Sequence, residues 1–389
     1  MSAFWLTDEQ QAIREGVGRI CARFDDQYWR DTDETGNFPE AFVDAVAQGG
    51  WLGVAMPEAF GGSGLGLTEA VHVMQTISQS GAGYSGASAV HLNIFGLMPV
   101  VKFGTDEQKA RHLPRIIAGE DKACFAVTEP NSGLDTASLE TKAERTNDGY
   151  RITGRKIWTT MAQRANKILI IARTTPKAEA KKPTEGLSLF YTDFDRARID
   201  ARPIPKMGRK AVESNMLFIE DLEVPQEDLI GEEGQGFKYL LAGLNPERVL
   251  IGAEAVGLGR AALAKAAAYA KERVVFGRPI GQNQGVAHPL AKAWIELEAA
   301  DLMAFRAAAL YDAGKDCGAE ANAAKYLGGE AGFRACEAAV LAHGGMGYAK
   351  EYDVERYFRE AMIARIAPVS REMILNYVGE RVLGLPKSY

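Results

Sequence analysis

The sequence predicts an α+β fold in three parts: an N-terminal α-helical domain over 1–122, a small central β-barrel or sandwich domain over 123–232, and a C-terminal four-helix bundle over 233–389. Three observations predict it. Apolar residues recur at helical spacing near the start, at Ile13, Val17, Ile20 and Phe24. From 123 the pattern changes to short β-rich runs, 167–172, 187–191 and 216–219, separated by turn residues. From Gly234 the chain becomes Ala-rich and helical again. Helices, then strands, then helices imply a β domain between two α domains, not a doubly wound sheet.

In chain order, Thr7 and Gln10 read as a capping box opening the first helix. Gly- and Pro-bearing breaks at 36–39, 57–66 and 81–86 divide the helices that follow. The Pro- and Lys-rich stretch 174–185 reads as a surface loop between two strands. In the C-terminal part, Asn245, Pro246 and Glu247 read as N-cap, first residue and first-turn acid of a bundle helix. Gly257, Gly259 and Ala262 match GxGxxA, but no strand precedes them and the run is Ala-rich. They read as close helix packing, and a nicotinamide Rossmann domain is excluded. The glycines of 61–66 likewise follow no strand and read as a plain loop. Leu290, Trp294, Leu297 and Phe305 are predicted to share the buried face of a long helix.

The bulk numbers narrow the function. A chain of 389 residues with 47% hydrophobic and 25% charged residues can bury large cores. A net charge of −6 argues against nucleic acid as a partner. No apolar run reaches the length of a membrane span, so no membrane is expected. The N-terminus resembles neither a signal nor a transit peptide, and a bacterial cytoplasm is expected. The four cysteines lie far apart without a CxxC and read as reduced, mostly buried thiols. The five histidines show no ligand spacing, and no metal is expected.

Two segments carry chemistry. Residues 124–135 form a short apolar run ending in a turn with Pro130, Asn131 and Gly133, which offers backbone N–H groups and small hydroxyls. Residues 154–160 end with the Trp158 ring beside Thr159 and Thr160. Together they suit a flat, polar-edged cofactor held by stacking and edge hydrogen bonds. Each alone reads equally well as a β hairpin with a core Trp.

These segments resemble the flavin-binding signature of the acyl-CoA dehydrogenases, with Glu129, Pro130, Gly133 and Asp135 at the family's turn and 158–160 at its Trp-Ile-Thr. The resemblance covers the whole chain. It continues through 245–248, through Arg273, Phe276, Pro279 and Gln284, and through His343, Gly344, Gly345 and Gly347 with Glu351, Arg356 and Glu360. It implies FAD as cofactor, held by Phe125, Val127, Thr128, Gly133, Leu134, Trp158, Thr159, Thr160 and Ser370. It also implies that Arg273, Phe276, Gln284, Leu341, His343, Gly344 and Gly345 touch the nucleotide across a subunit interface, so the chain is expected to be a homo-oligomer, dimer or tetramer. Leu134 and Leu341 depart from the family's polar residues, and each removes a polar contact. The implied reaction takes the α-proton of an acyl-CoA and passes the β-hydride to flavin N5, giving a trans-2-enoyl-CoA as in fatty-acid β-oxidation. An electron-transfer flavoprotein is the implied acceptor.

A thioester α-proton is weakly acidic, so the reaction needs a carboxylate in a dry pocket and donors for the enolate oxygen. Pro368 stands where many members carry the base. The resemblance to isovaleryl- and long-chain acyl-CoA dehydrogenases instead places the base at Glu247, with Glu372 as the alternative acid. Arg248 is expected to orient the thioester end, and Leu92, Phe95 and Leu134 to line the acyl pocket. Proline lacks the N–H that meets the thioester oxygen in relatives. The N–H of Val369 or of Ala367, or a ribityl hydroxyl alone, is expected to replace it. Other readings stay open: an acyl-CoA oxidase or another flavoenzyme on this scaffold, a non-catalytic flavoprotein subunit, or a cofactor-free helical scaffold.

Overall fold

The computed structural model describes residues 6–387; Met1 to Trp5, part of the N-terminal stretch read above for targeting, lie outside them. Seven helices come first: α1 (Asp8–Cys21), α2 (Asp26–Thr35), α3 (Glu40–Gln48), α4 (Leu67–Ile77), α5 (Gly83–His91), α6 (Met98–Phe103) and α7 (Asp106–Ile117). The Thr7–Gln10 capping box opens α1 as expected, and Ile13 and Val17 are buried in the first core. Gly81, at φ 101°, makes the break between α4 and α5, and a π-helical turn, Leu92–Gly96, separates α5 from α6. The path Leu67–Phe103 contains an 18-residue window with a mean hydropathy of 1.2, long and apolar enough for a membrane span, which the sequence reading did not find. Its most apolar stretch is 78% buried inside the protein, as the core of this domain.

Strands follow: β1 (Ala123–Ala126), β2 (Lys142–Arg145), β3 (Gly149–Thr160), β4 (Lys167–Arg173), β5 (Leu187–Asp193), β6 (Ile199–Pro203), β7 (Ser214–Pro225) and β8 (Leu229–Ile230). They form one sheet in the order β6-β7-β3-β2-β4-β5-β8, with β1 parallel to β4. Both faces of β4 are covered, which is why its sequence is continuously apolar and does not alternate. Ile168 and Ile170 join the core inside the β domain, while Leu169 and Ile171 pack toward the helices with Leu113, Ile116 and Tyr239.

The third part consists of α8 (Gly236–Glu272), a small hairpin β9 (Val274–Val275) and β10 (Arg278–Pro279), α9 (Gln284–Asp312), α10 (Gly318–His343) and the short α11 (Val354–Ala361), α12 (Ile363–Ile366) and α13 (Arg371–Tyr377). The short helices pack on α10 and complete the bundle. Gly257 lies mid-helix, where an added Cβ would sit 2.0 Å from Ser78 Oγ, so the GxGxxA match is helix packing.

Two expectations are corrected here. First, α8 does not open at Asn245. It starts at Gly236 and carries Pro246 inside it, so Glu247 is not a first-turn acid and no helix-end field acts on it. Gly236 seats this extra length against the sheet, where a Cβ would meet Leu189 N at 2.6 Å. Second, Trp294 does not share the buried face of α9. Leu297 is fully buried, but Trp294 is half exposed beside exposed Ile295 and Leu302.

Candidate active site

The two chemistry-bearing segments come together as one ledge. Lys156 and Thr159 flank a β-bulge in β3, and Trp158 sits in it at φ 61°. Before the bulge the even-numbered residues face inward: Tyr150, Ile152 and Lys156 are buried. The bulge shifts that parity, so Trp158 turns outward at 55% exposure and Thr159 turns into the core. The side chain of Thr159, expected to touch the cofactor, is buried, and its Oγ1 has no hydrogen-bond partner among the described residues; Thr160 remains half-buried at the ledge. Opposite lie Thr128, half-buried, and Leu134, exposed at φ 65°. Such positive φ values in bulky residues mark a constrained functional surface. Phe125 and Val127 pack partly against the core that underlies this edge.

A buried ion pair that the sequence reading missed ties the halves together. Glu129 accepts hydrogen bonds from Glu140 N at 2.7 Å, Thr141 N at 2.9 Å and Lys156 Nζ at 2.9 Å. Lys156 Nζ also reaches Val127 O at 3.1 Å, and Ile157 N donates to Thr128 O at 2.8 Å. Burial alone would raise the Glu129 carboxyl, but the Lys156 charge and the N–H donors hold it below its usual range. Burial pulls the Lys156 ammonium down to about 8, with Glu129 opposing. Both groups are therefore charged at neutral pH.

The ledge fits a flavin on its own terms. Ser132 Oγ is buried with no hydrogen-bond partner among the described residues, and Gly133 faces open space that a side chain would occupy. An outward indole, small hydroxyls and a free buried hydroxyl suit a planar ring with polar edges.

Glu247 projects from the middle of α8 toward the end of α5. Its side chain is 23% exposed, and its Oε2 lies 3.6 Å from His91 Nε2. The carboxylate expected in a dry pocket is thus partly buried and faces an imidazole. Arg248 donates to Asn245 Oδ1 at 2.8 Å, and its buried Nε lacks a partner among the described residues. Burial pulls that guanidinium below its ordinary value. A cavity of about 470 Å³ lies beside this turn, lined by Phe95, Met98, Lys102, Asn245 and Tyr311 among others. Leu92 is half-buried in a neighbouring core.

At the C-terminal segment, Lys325, held down to about 8 by burial, donates to Val369 O at 2.5 Å and fixes the loop after Pro368. The Ala367 N–H is already donated to Ile363 O at 2.9 Å. Of the two expected donors, only Val369 is left for a ligand. Ser370 Oγ caps α13 by accepting from Met373 N at 3.4 Å. Glu372 stands in solvent, paired with Arg371 at 2.7 Å.

The residues expected at the nucleotide lie on the open surface of the helical domain. Phe276 and Gly277 form the two-residue tip of the β9–β10 hairpin, both left-handed, and Phe276 is 100% exposed. Arg273, Gln284, Leu341, Gly344 and Gly345 are also exposed. His343 is a correction: its ring is buried, stacked on Tyr269 at 4.3 Å, with Nδ1 2.7 Å from Ala339 O. It shapes the helix end and does not face the surface.

The histidines give stability a pH signature. Burial alone would lower the His91 imidazole, but Glu254 and then Glu247 push it up to about 10 from 6.5. Its contribution is complete below pH 6.5 and is lost as pH rises through 10. Burial pulls His72 and His112 down to about 4, so their contribution is present above pH 6.5 and lost as pH falls through 4. Calorimetry across pH should show Tm falling on both sides of the near-neutral range, and His91→Gln should flatten the alkaline side.

Comparison with known proteins follows the same division of the chain. Residues 7–120, 124–222 and 234–383 match the N-terminal, middle and C-terminal domains of acyl-CoA dehydrogenase. The chain is 38% identical to acyl-CoA dehydrogenase FadE12 of Mycobacterium tuberculosis, over 100% of this chain and 99% of that protein. It is 34% identical to the caffeyl-CoA reductase-Etf complex subunit CarC of Acetobacterium woodii, over 86% and 88% of the two chains. Among solved structures, the FAD complex of PigA superposes with a TM-score of 0.92 at 25% identity, covering 98% of this chain and 99% of that one.

Proposed function

The chain belongs to the acyl-CoA dehydrogenase family, and from that premise we propose that it removes the α-proton and β-hydride of an acyl-CoA thioester, giving a trans-2-enoyl-CoA. FAD is the cofactor, and when bound it supplies the acceptor for the β-hydride. The chain's own residues do the rest. Trp158, Thr128, Gly133 and Thr160 hold the ring on the ledge, with Phe125, Val127 and Leu134 at its margins. Glu247 takes the proton from Cα. Arg248, steadied by Asn245, orients the thioester end, and the Val369 N–H meets the thioester oxygen. Leu92, Phe95 and Leu134 bound the acyl chain.

The observation that carries this reading is that the Glu247 carboxylate stands next on α8 to Arg248, whose buried Nε has no partner among the described residues. A buried N–H without an acceptor is costly, and a ligand oxygen would satisfy it. A fully exposed Phe276 at the tip of a two-residue hairpin turn supports a second half of the reading. Arg273, Phe276, Gln284, Leu341, Gly344 and Gly345 reach the nucleotide of a second copy, making a homo-oligomer. The likeness to a subunit of an Etf complex supports an electron-transfer flavoprotein as acceptor. Four free, buried cysteines suit a reducing cytoplasm.

Anaerobic titration of the flavin-loaded protein with butyryl-, isovaleryl-, octanoyl- and palmitoyl-CoA tests the proposal. At least one should bleach the visible flavin band stoichiometrically. If dithionite bleaches it and none of the four does, the proposed reaction is wrong. Rapid reoxidation by oxygen during turnover would instead identify an oxidase.

A further inference from the structure

His91 ends α5 at the point where the π-helical turn Leu92–Gly96 begins, and it lies between two carboxylates of α8. Its Nδ1 is 2.6 Å from Glu254 Oε1, and its Nε2 is 3.6 Å from Glu247 Oε2. Glu247 and Glu254 are about two turns apart on one helix face, so both reach the same neighbour. Glu254 is fully buried, and its second oxygen has no hydrogen-bond partner among the described residues. Two carboxylates this close to one ring call for a positive charge between them. We infer that His91 is a positioning residue: an imidazolium anchored by Glu254 that keeps the Glu247 carboxylate aimed into the site until substrate arrives. This rests on the reading of Glu247 as the base.

The two contacts differ in kind. The 2.6 Å contact is a short, charge-assisted hydrogen bond between buried groups, and it fixes the ring. The 3.6 Å contact is too long for a directional hydrogen bond, so charge alone holds Glu247 there. Glu247 can therefore turn toward a substrate without first breaking a strong bond, while His91 stays in place. The other charged or titratable groups nearby make their hydrogen bonds to other partners. Arg209, half-buried in the β6–β7 connection, donates to Ser88 Oγ at 3.1 Å and Ser214 Oγ at 3.4 Å. Tyr84 of α5 donates to Ile251 O, and Glu360 of α11 accepts from Tyr84 N and Ser85 N. None of them has a hydrogen bond or ion pair to His91 among the described residues.

His91→Gln keeps a polar side chain and removes the charge; Glu254→Gln removes the anchor. The pH dependence of kcat/KM is measured with whichever of the four acyl-CoAs above bleaches the flavin fastest. Both variants should move the acidic limb up by about one pH unit or more, since a cation within contact distance favours an ionised carboxylate by that order. Flavin content should stay at the wild-type level. Nitrogen NMR of labelled imidazole at pH 8 gives a reading that does not need turnover. His91 should carry protons on both nitrogens in the wild type and lose one in Glu254→Gln. A neutral wild-type His91 at pH 8, or acidic limbs unmoved in both variants, overturns the inference. If Glu247→Gln abolishes α-proton removal while those limbs stay fixed, only the positioning role fails. If Glu247→Gln keeps full activity, the base assignment itself fails.

Discussion

Glu129→Ala should lower stability by about 3–5 kcal/mol, the usual result of removing one member of a buried ion pair. It should also strip the flavin. The substitution leaves the fully buried Lys156 ammonium with Val127 O as its remaining acceptor. It also frees the N–H groups of Glu140 and Thr141, which now donate to the carboxylate. The three contacts of Glu129 fasten the turn over 128–135 to β3 and to the approach to β2, so the ledge loosens when they are lost. Glu129→Gln keeps the acceptor for the N–H groups and should recover part of the loss. Urea unfolding of both variants checks this, and a loss below about 1 kcal/mol, the value of an exposed pair, would contradict it.

Glu247→Gln should lower the rate of flavin reduction by an acyl-CoA by about 10²–10⁴, the usual contribution of a positioned general base. Flavin content and Tm should change little, because Gln keeps the shape and the 3.6 Å contact to His91 that it gives up is not a hydrogen bond. Glu372→Gln should leave the rate near wild type, since that carboxylate stands in solvent beside Arg371. Rapid-mixing kinetics on the two variants separates the two acids.

Much of the fold was legible because local signals and packing agree. The Thr7–Gln10 box, the breaks at Gly36 and Gly81 and the apolar run of β4 each specify their own structure. The start of α8 was not legible. Pro246 after Asn245 has the form of a helix start, yet Tyr239 and Leu240 upstream are buried and packing carries the helix through the proline. Trp158 and Thr159 were legible as a motif but not as a geometry. Strict alternation would put the indole in the core, and only the bulge reverses it. Lys156 reads as a surface residue until its partner, Glu129, is brought beside it by the fold. His91 and Glu254 carry no sequence mark at all, because their contact joins residues far apart in the chain.

Hydrogen exchange at Cα of a bound acyl-CoA in deuterated water, followed by mass spectrometry, tests the central claim most directly. The wild type should incorporate deuterium at Cα. Glu247→Gln should bind the same acyl-CoA and incorporate none. Exchange by Glu247→Gln at the wild-type rate would contradict the assignment of that carboxylate as the base.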